Sequence, residues 1–312
     1  MAFLNKALDP SQREVERDCL RYAMRSPAVW PRVGIVVEDR YLKQAQPAGL
    51  AAALGARGHH VVLIDPLAHA QEVGNDRWLE GLDAIVGRGR SWGVLSLLRW
   101  AEIRKVPTIN RRAAIAAVHN KAEMAVTLAT GGIPTPRTWL APVAHLARTV
   151  SDEEYPVILK PIFGDNCQGL RVVRTRAELT SVRWPEPVAL AQRFVVGAHR
   201  DLKLYGIGER QWAVRKPSPL LTPWSAGAPS ADKESDVELV EPLPPAWREL
   251  ALRCRNLFEL DLYGVDCLET PDGPLVIEVN EFPNYTGVPH VSETLADYAV
   301  SMIRSRSTRQ AS

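Results

Sequence analysis

The chain has 312 residues, of which 38 are basic and 36 acidic, for a net charge of +2. That balance, with no basic–aromatic stripe, excludes a nucleic-acid surface built on charge, and the longest apolar stretch falls well short of a membrane span. Cys19, Cys167, Cys254 and Cys267 show no metal-ligand spacing and no secretory signal precedes them, so a reducing cytoplasm is the expected setting. In chain order, Ser11-Gln12-Arg13-Glu14 matches a capping box and predicts a helical extension over 1–27, able to pack on the body or on a second subunit of a homo-oligomer. Segments 32–37, 60–64 and 82–86 read as short buried strands, and Leu50–Leu54 reads as a helix ended by Gly55 and Gly58. Strand–helix–strand order predicts a small parallel α/β domain over 28–115. Gly87-Arg88-Gly89-Arg90 follows the third strand at its carboxyl end, where open α/β sheets bind ligands. Arg88 is the candidate clamp there for a substrate carboxylate or phosphate.

Further along, Val157-Ile158-Leu159 is an apolar strand ending in Lys160, and Pro161 keeps that lysine extended. Gly164 and Gly169 bracket a short polar loop before Leu170–Val173 resumes a strand. Such a loop turns backbone N–H groups onto phosphate oxygens while the lysine adds a point charge. It is not a Walker A loop, since no Gly-Lys-Ser/Thr follows and no helix begins there. Val188–Val196 is strand-like and ends at Gly197, offering backbone groups to an adenine edge. Segments 201–206 and 211–217 form two strands joined by a Gly-Glu-Arg turn. Alternation puts Asp201, Lys203 and Tyr205 on one face, and Gln211, Ala213 and Arg215 on one face of the partner. Cations there can meet a triphosphate and offset the charge developing in phosphoryl transfer. Residues 217–246, rich in proline, read as an irregular loop suited to acceptor recognition.

The hairpin formed by Leu262–Leu268 and Val276–Asn280, around Pro271-Asp272-Gly273-Pro274, carries three oxygen ligands. Period-2 alternation puts Val276, Glu278 and Asn280 on one face and turns Ile277 and Val279 to the core. A hairpin centred on Asp272 sets Asp266 opposite Glu278, whereas a register one residue off turns it away. Two carboxylates and an amide suit Mg²⁺, which keeps waters and takes its remaining ligands from a nucleotide's phosphates. As a solvated carboxylate, Glu278 is expected to matter for turnover and little for stability. From Ser305 onward the sequence is basic and polar, which predicts a flexible tail over 305–312. Only eight of the basic residues are lysines, yet Lys121, Lys160, Lys203 and Lys216 all fall in these segments. A compact ammonium on phosphate is not interchangeable with a guanidinium fork.

The ordered set Lys121, Lys160 with its glycine loop, Gln192–Val195, Asp201-x-Lys203, Arg215, Asp266 and Glu278-x-Asn280 resembles the ATP-grasp superfamily, over roughly residues 30 to 300. Within it the chain looks closest to the RimK-like carboxylate–amine ligases. Asn120-Lys121 opening a helix that closes at Gly131-Gly132, followed by Ile133-Pro134-Thr135-Pro136, is a passage of that group. The resemblance implies an α/β (α+β) ATP-grasp fold behind the N-terminal domain. A central subdomain over 116–190 would carry the glycine loop, and a C-terminal one over 191–304 the metal site. It implies that Lys121 and Lys160, with the Gly164–Gly169 loop, meet ATP phosphates. Gln192, Arg193, Phe194 and Val195 would form the adenine hinge, and Asp266, Glu278 and Asn280 would hold Mg²⁺. Lys203 and Arg215 would stabilise phosphate or acyl-phosphate oxygens, and Arg88 would meet substrate as similar loops do.

Two features depart from the ligase pattern. RimK-like ligases usually carry arginine where Lys203 stands. Asn280-Glu281-Phe282-Pro283-Asn284-Tyr285-Thr286-Gly287 and Arg215-Lys216-Pro217-Ser218-Pro219 are similar to the inositol trisphosphate 5/6-kinases, which share the fold but usually carry aspartate at the Glu278 position. The leading expectation is a Mg-dependent ligase joining a small-molecule or peptide carboxylate to an amine through an acylphosphate. The alternatives are a small-molecule kinase with a hydroxyl acceptor and a nucleotide-binding regulatory protein.

Overall fold

The structure, a computed structural model, describes residues 30–68, 70–164, 168–195, 200–217 and 237–310. The predicted N-terminal helix, Cys19, Cys167, Gly197 and most of the proline-rich loop lie outside these. The first sheet is parallel, with strands β1 (Arg32–Val37), β2 (His60–Ile64), β3 (Ala84–Arg88) and β4 (Thr108–Ile109) in the order β2-β1-β3-β4. Helix α1 (Ala45–Ala56) covers one face and α2 (Trp92–Ile103) the other. Val33, Ile35 and Val37 therefore pack on the side of Leu50 and Leu54, while Val36 and Ile85 meet Val94 and Leu98. Burial on both faces explains the unbroken apolar runs that identify these strands. β3 starts two residues later than its sequence suggests and carries on through Gly87 and Arg88, which pair with Val36 and Val37.

Two helices, α3 (Arg112–His119) and α4 (Lys121–Thr130), lead to a second, antiparallel sheet. Its strands β5 (Thr138–Ala141), β6 (Val157–Lys160), β7 (Arg171–Val173) and β8 (Ala189–Arg193) lie in the order β5-β8-β6-β7. Helices α5 (Val143–Thr149) and α6 (Arg176–Ser181) back it, burying Val157, Leu159, Ala189 and Ala191 against Leu146 and Leu179. Alternation leaves Ile158, Lys160, Leu190 and Gln192 on the other face, with Ile158 opposite Gln192 and Lys160 opposite Leu190.

The third sheet, also antiparallel, contains β9 (Arg200–Ile207), β10 (Arg210–Pro217), β11 (Glu238–Leu239), β12 (Leu262–Thr270) and β13 (Gly273–Glu281), in the order β11-β10-β9-β12-β13. Leu202, Leu204, Val265, Cys267, Val276 and Val279 face α7 (Pro245–Phe258) and the inner residues of α4. On the reverse face Tyr205 and Val214 join Phe282, Tyr285, the closing helix α8 (Val291–Gln310) and the β1 side of the first sheet in one core. The expected flexible tail is corrected in part, because α8 runs on to Gln310. Once Leu295, Ala299 and Ile303 anchor the helix, each added turn gains a hydrogen bond per residue fixed.

On β9 and β12, Tyr263 lies opposite Gly206. The Tyr263 ring is fully buried, and a Cβ added at Gly206 would come within 2.0 Å of its Cζ. Gly206→Ala should therefore cost about 1–3 kcal/mol through overpacking, read as a lower melting temperature. An unchanged melting temperature would show that the ring has room to move aside.

Candidate active site

Asn120 caps α4. Its Oδ1 accepts from the amides of Ala122 (3.1 Å) and Glu123 (3.3 Å), and its Nδ2 donates to Glu123 Oε1 at 2.8 Å. At the far end Ile133 N–H donates to Leu128 C=O and Gly132 N–H to Ala129 C=O, the Schellman arrangement. The helix is thus fixed at both ends, as its flanking residues suggest, with Lys121 at its first position. The Lys121 amide donates to Ile162 C=O at 3.0 Å, tying α4 to the base of the glycine loop. Its side chain, only 7% exposed, reaches across to β13 and pairs with the Glu278 carboxylate. From the cleft face of the second sheet, Lys160 Nζ donates to Gln192 Oε1 at 2.7 Å, and Gln192 Nε2 donates to Thr138 Oγ1 at 3.2 Å. Lys121, Lys160, Gln192 and Glu278 line a cleft whose apolar surface comes from Met124, Leu128, Leu190 and Ile277. Gly164 and Gly169 bracket the adjoining loop, where φ of +76° makes glycine the natural residue at 169.

The hairpin places Asp266 opposite Glu278, through a register the sequence did not reveal. Cys267 pairs with Val276 and Asp266 with Glu278, so Ile277 is an extra residue bulged out of the ladder. Val276 and Val279 both enter the core, and Ile277 faces the cleft beside Glu278. The expectation that Ile277 is core and Val276 shares Glu278's face is corrected by this bulge. Asn280 Nδ2 donates to Asp266 Oδ2 at 3.4 Å. Lys203 lies opposite Asp266 on β9, and its Nζ sits 2.7 Å from Asp266 Oδ1. Burial acts to lower the Lys203 pKa, but Asp266, aided by Tyr205 and Asp201, holds it above the ordinary lysine value. The donor set of Asp266, Glu278 and Asn280 suits a hard divalent cation, and each carboxylate already balances an ammonium.

Three sequence expectations change. Arg215 is not beside Lys203. The β9–β10 turn has two residues, Gly208 and Glu209, so Lys203 pairs with Val214 and Arg215 with Leu202. Arg215 therefore lies on the opposite face of the sheet, where it grips Glu269 at 2.8 and 3.0 Å, contacts Glu238 at 3.3 Å and lies over the Trp247 ring. Those carboxylates raise its pKa against desolvation, the Glu269 hydrogen bond foremost. Lys216, opposite Asp201, occupies the face on which Lys203 stands. Arg88 is neither a surface group nor an open clamp. It is buried, donates to Phe282 C=O and to Gln44 Oε1 (2.9 Å), and lies over the Tyr41 ring at 4.2 Å. Third, Glu278 is no solvated carboxylate, given its bond to buried Lys121.

Sequence reasoning passed over Arg90, although it stands in the same Gly-Arg-Gly-Arg stretch as Arg88. Arg90 is buried, its Nε lies 3.2 Å from Glu281 Oε1 and its Nη2 3.4 Å from Asn280 Oδ1. Glu38 accepts from the Arg90 and Ser91 amides at 2.8 and 2.9 Å and fixes that loop. At the expected hinge, the amides of Arg193 and Phe194 donate to Arg137 and Pro156 carbonyls at 2.8 and 2.9 Å. The loop after Asn280 bends sharply, with φ of +37° at Phe282 and +54° at Tyr285, and the buried Tyr285 hydroxyl donates to Gly206 C=O.

Residues 118–286 match the ATP-grasp domain family. The chain belongs to the ATP-grasp family. The tetrahydromethanopterin:alpha-L-glutamate ligase of Methanococcus maripaludis is 28% identical over 207 residues, 64% of this chain and 68% of that protein. A probable alpha-L-glutamate ligase of Maridesulfovibrio salexigens is 25% identical over 280 residues, 84% of this chain and 91% of its own length. Among solved structures, a RimK domain ATP-grasp protein of Sphaerobacter thermophilus superposes with a TM-score of 0.65 at 22% identity, covering 86% of this chain and 99% of that one. The ATP-grasp fold read from the ordered motifs is thus the fold observed, and the RimK-like resemblance extends over most of the chain.

The Lys121–Glu278 pair changes what Glu278→Ala should do. Losing the carboxylate strands a buried ammonium, so the variant should be destabilised by about 1–3 kcal/mol. Lys121→Met in the same chain should recover most of that loss in urea unfolding. Additive losses in the double variant would mean that the two groups do not interact in solution.

Proposed function

We propose that this ATP-grasp protein is an ATP-dependent carboxylate–amine ligase, and that the cleft between the second and third sheets is its nucleotide site. One observation carries the reading. Lys121, Lys160 and Glu278, from α4, β6 and β13, line one cleft, and the Lys203–Asp266 pair of β9 and β12 adjoins it where Asp266 lies opposite Glu278, a clustering of charge suited to phosphoryl transfer. The carboxylate substrate attacks the γ-phosphorus, forming an acyl C–O–P bond as the bond to ADP breaks. The amine then attacks the acyl carbon, the amide forms and inorganic phosphate leaves. Similarity to glutamate ligases makes glutamate the first amine to try, with a small molecule or a peptide terminus as the acceptor acid.

In this reading Lys121, Lys160 and Lys203 turn to phosphate oxygens, and Asp266, Glu278 and Asn280 hold Mg²⁺. The metal supplies charge neutralisation to the phosphates when bound. The protein's share is positioning and fixed positive charge, with no covalent enzyme intermediate. Arg90, at the junction of the first sheet and β13, is the better candidate than Arg88 to adjoin the acceptor, and Arg215 has no direct part. Because the Arg193 and Phe194 amides are engaged, adenine would be met by the Arg193 carbonyl and the Val195 amide.

Two measurements test this. With ATP, Mg²⁺ and a pool of candidate acids, hydroxylamine should trap an acylphosphate as a hydroxamate. Release of no phosphate, with γ-label ending in an acid-stable ester, would reverse the reading in favour of a kinase. ATP should also be preferred over GTP by at least roughly tenfold, because a carbonyl that accepts from a 6-amino group repels a 6-oxo group, a loss of about 1–3 kcal/mol. Equal kcat/KM for the two nucleotides would remove the hinge assignment.

A further inference from the structure

Both carboxylates of the would-be metal site are paired with cations of this chain. Lys121 pairs with Glu278 and Lys203 with Asp266 at 2.7 Å, and both ammoniums are largely withdrawn from water, with side chains 7% and 19% exposed. The two lysines come from separate elements, α4 and β9. Within these two pairs the four charges cancel formally.

We infer that these two lysines act as internal counter-ions that keep free divalent cations out until nucleotide arrives. This deepens the ATP-site reading and rests on it for the identity of the second ligand. A divalent ion entering alone faces a choice between two costly arrangements. It can share the carboxylates with two ammoniums and add a net +2 to a half-buried cleft, or it can break both pairs and strip each largely buried ammonium of its carboxylate. A triphosphate removes that choice, because its oxygens take the lysines as the metal takes the carboxylates. Each ligand thereby prepares the site for the other, and the coupling is reciprocal. Lys121 and Lys203 are then more than phosphate contacts. They set the metal's affinity through the carboxylates they occupy.

The test uses Mn²⁺ as the probe, with free Mn²⁺ read by electron paramagnetic resonance on the full-length protein and no turnover required. Wild-type protein should bind Mn²⁺ weakly alone and at least roughly tenfold more tightly with a non-hydrolysable ATP analogue, within the 5–150-fold range usual for coupled sites. Lys121→Met and Lys203→Met should each tighten Mn²⁺ binding in the absence of nucleotide by about tenfold and shrink the nucleotide effect. Adding Glu278→Gln to Lys121→Met should abolish the gain and so place it at that carboxylate. Because the wild-type comparison needs no substitution, a poorly folded variant does not decide the matter. Equal Mn²⁺ affinity with and without the bound analogue overturns the inference, as does unchanged metal-only affinity in both lysine variants. Calorimetry with the analogue alone separates the two readings, since failure of the analogue to bind sinks the ATP site itself. The metal-only comparison of wild type and variants still judges the counter-ions.

Discussion

Asp266 and Glu278 lie opposite each other on neighbouring strands, and most of the site follows from keeping them there. Two such carboxylates, about 5 Å apart, repel by roughly 3 kcal/mol at an effective dielectric of about 20. Without cations that repulsion would push the two side chains apart. The chain meets this with one lysine for each carboxylate, drawn from opposite sides of the cleft. That solution also ties α4 to β13 and β9 to β12 by charge. The bulge at Ile277 keeps Val276 and Val279 both in the core while Glu278 turns outward. A regular strand could not bury 276 and 279 together, since three steps along it change face.

The first sheet contributes by fixing the two ends of this hairpin. Asn110, fully buried, donates to Leu262 C=O at 2.7 Å and accepts from the Asp261 and Leu262 amides at 2.6 and 2.8 Å, which sets the start of β12. Arg88 and Arg90 hold the end of β13, one through the Phe282 carbonyl and the other through Glu281 and Asn280. Buried polar groups so placed are costly unless every partner is present, so they favour a single arrangement of the sheets over any slid version. The carboxyl end of β3 therefore serves the site as scaffold.

What could be read from the chain was whatever depends on local pattern. Three strands of the first sheet, the capped helix from Lys121 and the strand ending in Lys160 all rest on alternation, caps and turn residues within about 20 positions. Arg215 was misplaced for a reason just as local. A turn counted as three residues instead of two moves every later side chain to the other face. Ile277 was misplaced because a bulge leaves no mark in composition. Arg88 and Arg90 could not be told apart, since which of two arginines in Gly-Arg-Gly-Arg meets the hairpin depends on contacts with residues almost 200 positions away. The Lys121–Glu278 bond, between residues 157 apart, is of the same kind.

The scarcity of lysine now has a structural account. Of the four lysines in the motif segments, Lys121 meets Glu278, Lys160 meets Gln192 and Lys203 meets Asp266, each through one ammonium. An ammonium on a flexible stem can leave one oxygen for another by rotating a few bonds, and it keeps its charge on the way. A guanidinium engages its partner through a planar fork, as Arg215 does with both oxygens of Glu269, and leaving costs two hydrogen bonds at once. Arginine therefore suits the permanent joints of this protein, at 88, 90 and 215, and lysine the positions where a partner has to change. On that argument the lysine at 203, where RimK-like ligases usually have arginine, gives this site a looser hold on Asp266 than a fork would, and under the proposed reading a metal competing for that carboxylate would meet less resistance once phosphate is present.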